Sequence, residues 1–254
     1  MYRGFNLTVP VSFFSDFSEK GGSLHGKNQK AVRDRLAAFK DASGNLVSSR
    51  MTAAWFPDVD AQVFISHAHK DSSMALGLAG HLHQKFGITS FVDSAVWGYS
   101  DDLLRMLDKS FCYNRDSKTY DYNKRNRSTA HVHMMLSVAL SKMINQCECI
   151  IFLNTPHSIE SEEYINGTTT NSPWIYSEIA MTSLIEKRLP VYHRMAKSEI
   201  AMDSFTENLN LTVKYDVDLD HLHDLSAKNY NTWVAKSGGK MGKEALDVLY
   251  EMTS

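Results

Sequence analysis

The segment Ser172–Glu178, SPWIYSE, places a carboxylate where a buried helix has no ordinary use for one. Ser172 is a good N-cap and Pro173 suits the first helical position, so a helix is expected to start here. It continues through Trp174, Ile175, Ile179, Ala180, Met181, Leu184 and Ile185, apolar around most of its circumference, as buried helices are. At about 100° per residue, Glu178 shares a stripe with Trp174, Met181 and Ile185. A carboxylate on such a stripe is paired, neutralised or functional, because burying it alone is costly. The chemistry a single carboxylate can do in a mostly apolar setting is electrostatic.

Bulk properties narrow the classes. The chain has 254 residues, 43% hydrophobic and 22% charged, ordinary for a globular protein with a core. A net charge of −2 gives no global field for nucleic acid or an anionic membrane. The longest uninterrupted aliphatic or aromatic run, Ile150 to Leu153, is far too short to span a bilayer. The opening MYRGFNLTVPVSFFSDFSEK lacks an apolar core followed by a small-residue cleavage site. Three cysteines, Cys112, Cys147 and Cys149, point to a reducing, cytoplasmic compartment rather than a disulfide framework.

The elements that would position Glu178 follow a composition break near residue 60. Residues 1–60 read as an N-terminal extension, mostly helical or irregular, with a short amphipathic helix from Lys27 to Lys40 carrying Val32, Leu36 and Phe39. From residue 61 the pattern becomes regular. QVFIS is a buried strand, Asp71 caps a helix carrying Ala75, Leu78, Ala79, Leu82 and Phe86, Gly87 stops it, and ITSFVD is the next strand. That is a βαβ unit and therefore a parallel sheet. Asp101 to Phe111 is expected to be helical. Residues 112–130, with five basic and two acidic side chains and almost no aliphatic ones, read as an exposed, mobile basic insertion. A regular helix carries Val132, Met135, Leu136, Ala139, Leu140, Met143 and Ile144, and feeds the strand CECIIFLN. LPVYH follows the Trp174 helix as a fourth strand. LTVKYDVD, a helix from His221 and another from Lys240 close the sheet over residues 205–254. The fold class is α/β: a doubly wound, flavodoxin-like parallel sheet with helices on both faces, spanning 61–254 with its core at 61–194.

In such sheets, ligands bind beyond the carboxyl ends of the strands. That edge gathers Ser66, His67 and Lys70 after the first strand, and Asp93, Trp97 and Tyr99 on a Gly-containing loop after the second. Asn154 and Thr155 follow the third, just before Trp174 and Glu178. A carboxylate, aromatics, hydroxyls and a helix N-terminus suit a nucleotide. Trp174 is equally accounted for as an anchor of its helix to the sheet, and Ser66 as a turn cap.

FISHAHKD, GITSFVDSAVWGYSD, CECIIFLN and SPWIYSE, in this order and spacing, resemble a bacterial Toll/interleukin-1 receptor (TIR) domain over roughly residues 61–194, in particular the TIR proteins of Thoeris-type antiphage defence. The resemblance implies an NAD⁺ nucleosidase or ADP-ribosyl cyclase of the cytoplasm that needs no cofactor, NAD⁺ being the substrate. Its ADP-ribose-derived product would be read by a downstream effector, and TIR–TIR self-association would assemble it. Glu178, in a W-x-x-x-E arrangement with Trp174, matches the family's catalytic glutamate, and the loop after Asp93 matches its BB loop. In this setting Trp97, Tyr99 or Trp174 would stack on a ring. Backbone amides around Ser66 and His67, with Lys70, would hold the pyrophosphate.

Two other classes stand beside it. Many TIR domains are non-catalytic adaptors that act by assembly. His67, His69 and Asp71 also spell H-x-H-x-D after a strand, which resembles the first metal motif of the metallo-β-lactamase fold, with Ser72 where another His is normal. His131 and His133, two apart on a helix, diverge by about 160° and make a poor chelate, and His81 and His83 share that spacing.

Overall fold

The runs VFIS and CIIFL pair in parallel, Ser66 opposite Phe152, and every residue of both is buried, as strands covered on two faces must be. They form the centre of a computed structural model that describes residues 1–28, 39–55, 60–92, 94–161, 168–195 and 214–253. In chain order its elements are β1 (Arg3–Thr8), α1 (Ser18–Asn28), α2 (Ser48–Trp55), β2 (Val63–Ser66), α3 (Ser72–Phe86), β3 (Ser90–Val92), α4 (Ser94–Leu107), β4 (Tyr113–Asn114), β5 (Thr119–Tyr120) and α5 (Tyr122–Gln146). Then follow β6 (Cys149–Leu153), β7 (Glu160–Ser161), β8 (Thr168–Thr170), α6 (Pro173–Leu184), α7 (Pro190–Met195), β9 (Tyr215–Val217), β10 (His223–Ser226), α8 (Ala227–Ser237) and α9 (Lys243–Met252).

The central sheet is parallel throughout, in the order β10-β1-β6-β2-β3. Alternate strand residues feed two separate cores. Phe64, Ile150 and Phe152 pack with Leu103 and Leu107 of α4, Val132, Leu136 and Leu140 of α5, and Ile175 and Ile179 of α6. Val63, Ile65, Ile151 and Leu153 pack with Ala75, Leu78 and Leu82 of α3, Tyr230 and Trp233 of α8, and Leu246 and Leu249 of α9. Helices therefore cover both faces, and the fold is the doubly wound α/β class expected. Among the described residues no helix is long and apolar enough to cross a membrane.

The strand assignment differs from expectation at three places. The fourth position in the sheet, expected for LPVYH, belongs to β1, which pairs with β6 from Arg3↔Cys149 to Leu7↔Leu153 and with β10 on its other side. Residues 3–8 are thus inside the sheet rather than in an extension, and the break near residue 60 does not mark them off. Phe5, Leu7 and Val9 supply the period-two burial, but Gly4 interrupts the apolar signal. A Cβ on Gly4 would meet Leu222 Cδ2 at 2.4 Å and Ile150 Cγ2 at 2.9 Å, so these side chains would have to shift to admit one. LPVYH forms the short helix α7, in which Pro190 takes the first position that its fixed φ favours. The helix expected from His221 begins at Ala227, because His223–Ser226 is the edge strand and Ser226 Oγ then caps α8 by accepting from Asn229 N. Within LTVKYDVD, Tyr215–Val217 joins a small antiparallel sheet, β7-β8-β9, outside the central one. The helix expected from Lys240 begins at Lys243, after Gly242.

Two loop expectations also change. The segment after Asp93 is the first half of α4 rather than a loop of BB type, a single Gly98 being tolerated in a helix at about 1 kcal/mol. Residues 112–130 are exposed over most of their length, yet they form the β4–β5 hairpin and the first turns of α5. Asp108 ties them down, accepting from Arg125 Nε at 2.9 Å and Ser128 Oγ at 2.5 Å. Val32 and Leu36 of the helix expected from Lys27 to Lys40 lie outside the described residues, whereas Phe39 is buried in the core.

The N-terminal helix is seated by glycines. Gly21 of α1 meets α3 so closely that an added Cβ would sit 1.8 Å from the Leu76 carbonyl oxygen, which is backbone and cannot rotate away. Gly21→Ala is therefore expected to lower the unfolding free energy by about 3 kcal/mol, read as a lower urea midpoint. His81 on α3 is buried beside Tyr230, its Nδ1 2.9 Å from the hydroxyl, and burial first, then Lys85, pushes its pKa down to about 4. The unfolded ring takes its proton near pH 6.5, so the contribution is fully present above that pH. It is lost as pH falls from about 6.5 toward 4, by roughly 3 kcal/mol in all. Urea midpoints of wild type should fall over this range more steeply than those of His81→Asn.

Candidate functional site

Glu178 is held at the carboxyl edge of the sheet by three local decisions of the sequence. Ser172 Oγ accepts from Ile175 N and Pro173 follows, which starts α6 where the spacing predicts. Ile175 and Ile179 are buried in the α4–α5 core and fix the rotation of α6. That rotation turns Glu178 inward, to 2% exposure. There Ser66, the last residue of β2 and 1% exposed, donates its hydroxyl to Glu178 Oε2 at 2.5 Å. A hydroxyl-to-carboxylate bond of this length is charge-assisted and fixes the orientation of the carboxylate. The two residues are 112 apart in sequence. Sequence reasoning placed both at this edge, and the structure brings them into contact.

The topology gives this edge its significance. Reading from β2 onward, the sheet order is second, first, third, with the order reversing between β2 and β6. In open α/β sheets ligands bind at that switch point, outside the carboxyl ends of the two diverging strands. The turn after β2 carries Ser66, His67, Lys70 and Asp71; the turn after β6 carries Asn154, Thr155, His157 and Ser158. His67 is buried at 4% exposure, whereas His69 and Lys70 are exposed on the short 3-10 turn His69–Asp71. Lys70 is thus available to an anionic group at the rim.

Asp71 does not cap α3 through its side chain, contrary to expectation. Its carboxylate turns across the switch point to the other loop, accepting from Thr155 Oγ1 at 2.5 Å and pairing with His157 Nδ1 at 2.8 Å. Thr155 is itself clamped, Ser158 Oγ accepting from Thr155 N at 2.9 Å and donating to Leu153 O at 2.9 Å. No spacing rule links positions 71 and 157. The available signal was that both follow strands that must be neighbours.

The remaining expected residues divide. Trp174 is half-buried and sits edge-to-face on His133 of α5, ring centroids 5.4 Å apart and planes 87° apart. It packs against the core as well, so its anchoring role is realised. Burial, opposed by Asp101, lowers the His133 pKa. Trp97 and Tyr99 lie on α4, and their side chains, like Asp93, fall outside the described residues. The H-x-H-x-D triplet does not converge: one histidine is buried, one exposed, and Asp71 is committed to Thr155 and His157. Among the described residues no group of three or more His, Cys, Asp and Glu side chains is arranged to hold a metal ion.

The carboxyl edge therefore carries an oriented buried carboxylate, a rim lysine and a carboxylate-bound histidine. No family model, curated protein or solved structure matches this chain.

Proposed function

We propose that this protein cleaves the nicotinamide–ribose bond of NAD⁺, with Glu178 as the catalytic carboxylate. The observation that carries this reading is the position of Glu178: 2% exposed, at the switch point of the sheet, with its orientation set by Ser66. The resemblance to bacterial TIR domains supplies the substrate. Nicotinamide leaves a cationic pyridinium as a neutral base, so the leaving group needs no general acid. The site must instead stabilise the ribosyl oxocarbenium and hold the ribose hydroxyls. A single carboxylate in a mostly apolar setting does this electrostatically. Ser66 keeps that carboxylate aimed, and Lys70 with the backbone of the β2 turn receives the pyrophosphate.

Attack by water yields ADP-ribose; attack by a ring nitrogen or hydroxyl of the same molecule yields a cyclic isomer; another acceptor yields a conjugate. The reading extends to a cytoplasmic antiphage signal read by a separate effector, and to self-association that completes the site. The direct test of the location is NAD⁺ titrated into the catalytically silenced Glu178→Gln protein under amide NMR. The reading expects shifts concentrated in Ser66–Asp71 and Asn154–Ser158. Shifts confined to other surfaces, or none, would contradict it and favour an adaptor that acts by assembly alone.

A further inference from the structure

The pairing of Asp71 with His157 has the geometry of a proton-transfer dyad. Asp71 is rigidly placed: its side chain is 1% exposed, and Thr155 Oγ1 donates to its second oxygen at 2.5 Å. Its first oxygen lies 2.8 Å from His157 Nδ1. A carboxylate there accepts the Nδ1 proton, which leaves Nε2 of the neutral ring as the basic atom. The imidazole is 46% exposed, so this nitrogen belongs to a side chain that reaches solvent while its other end is anchored in the fold. The backbone around it is fixed too, His157 N donating to Thr155 Oγ1 at 3.2 Å. A buried carboxylate that orients an accessible histidine serves to keep the ring in one tautomer and to stabilise the imidazolium once it forms.

The location adds the substrate. Asp71 ends the same six-residue stretch that Ser66 begins, and His157 stands on the turn after β6, so the dyad bridges the two loops of the switch point. The stabilisation of a cation by Glu178 leaves one task undone. A hydroxyl or water that attacks the ribosyl carbon must lose a proton.

Resting on the NAD⁺ reading above, we infer that His157 is a second catalytic residue, the base that deprotonates an oxygen nucleophile at C1′, and that Asp71 is its positioning residue. The bond from C1′ to the pyridinium nitrogen breaks, and its electron pair leaves with neutral nicotinamide. An oxygen lone pair of the acceptor forms the new C1′–O bond. The proton of that oxygen passes to His157 Nε2, Asp71 faces the imidazolium, and the proton is returned to solvent before the next turnover. A pyridine-type acceptor follows the same path with no proton to lose, and so has no need of His157.

That difference is the test. The full-length protein is incubated with NAD⁺ and excess 3-acetylpyridine, and the exchanged dinucleotide and the oxygen-derived products, ADP-ribose with any O-linked cyclic form, are quantified together. In His157→Gln the ratio of exchange to oxygen-derived product is expected to rise about 100-fold, the lower end of what a general base supplies. Asp71→Asn is expected to move it the same way by a smaller factor. Partial misfolding scales both products alike and leaves the ratio unchanged, so a structural role cannot imitate the result. An unchanged ratio in His157→Gln overturns the assignment while leaving the NAD⁺ reading intact. Wild type that forms neither product overturns both.

Discussion

Glu178→Gln is expected to slow nicotinamide release from NAD⁺ by at least about 1,000-fold while leaving the protein as stable as wild type or more so. The two effects are separable because the amide keeps the shape of the carboxylate and still offers Ser66 an acceptor oxygen. What it loses is the charge. A full negative charge about 4 Å from a developing cation contributes on the order of 4 kcal/mol at the effective dielectric of a protein interior, which is close to a thousandfold in rate. At 2% exposure that charge also costs desolvation free energy in the resting protein, and a neutral amide costs less. A purely structural Glu178 would behave in the opposite way, with stability falling and nothing for a kinetic assay to lose. Nicotinamide release and a urea unfolding curve on the same preparation decide between them.

The largest stability effect is expected at the other edge of the sheet. Glu148, just before β6, is 4% exposed, and Arg194 of α7 binds both of its oxygens, Nε to Oε2 at 3.1 Å and a terminal nitrogen to Oε1 at 2.9 Å. Tyr250 of α9 donates to the same Oε1 at 3.1 Å, and Arg194 also reaches Asp247 at 2.9 Å. Glu148, foremost, and Asp247 hold the guanidinium above its ordinary range. Removing it leaves a buried carboxylate with a single phenol, so Arg194→Ala should destabilise by roughly 3–5 kcal/mol. Adding Glu148→Gln should recover more than half of that loss, because the stranded charge is then gone. If Arg194→Ala alone shifts the urea midpoint by a tenth of this, the network is not what seats α7 and α9. Either way the variant should retain NAD⁺ turnover per folded molecule, since it lies at the amino ends of strands whose carboxyl ends carry the site.

Glu178 and Ser66 mark what was legible from the chain. Glu178 was legible because a carboxylate on an otherwise apolar helix violates the pattern around it, and Ser66 because it ends a short buried run. The parallel sheet followed from strands alternating with helices. The strand β1 was not legible, because Gly4 and Asn6 dilute its apolar alternation and its partners lie at residues 149–153 and 223–226. LPVYH read as a strand from its β-branched and aromatic content, and tertiary context overrode that preference in favour of a helix opened by Pro190. Gly98 suggested a loop where α4 runs on. Asp71 read correctly as a residue preceding a helix, but its partners come from a loop more than eighty residues away, which local capping rules do not reach.

The measurement that bears most directly on the central claim is chromatography with mass detection of NAD⁺ incubated with the wild-type protein at high concentration, where self-association is favoured, and again with phage-infected lysate. The account predicts nicotinamide released in step with NAD⁺ consumed, together with one ADP-ribose-derived co-product whose mass names the acceptor. NAD⁺ recovered intact under every condition would contradict it.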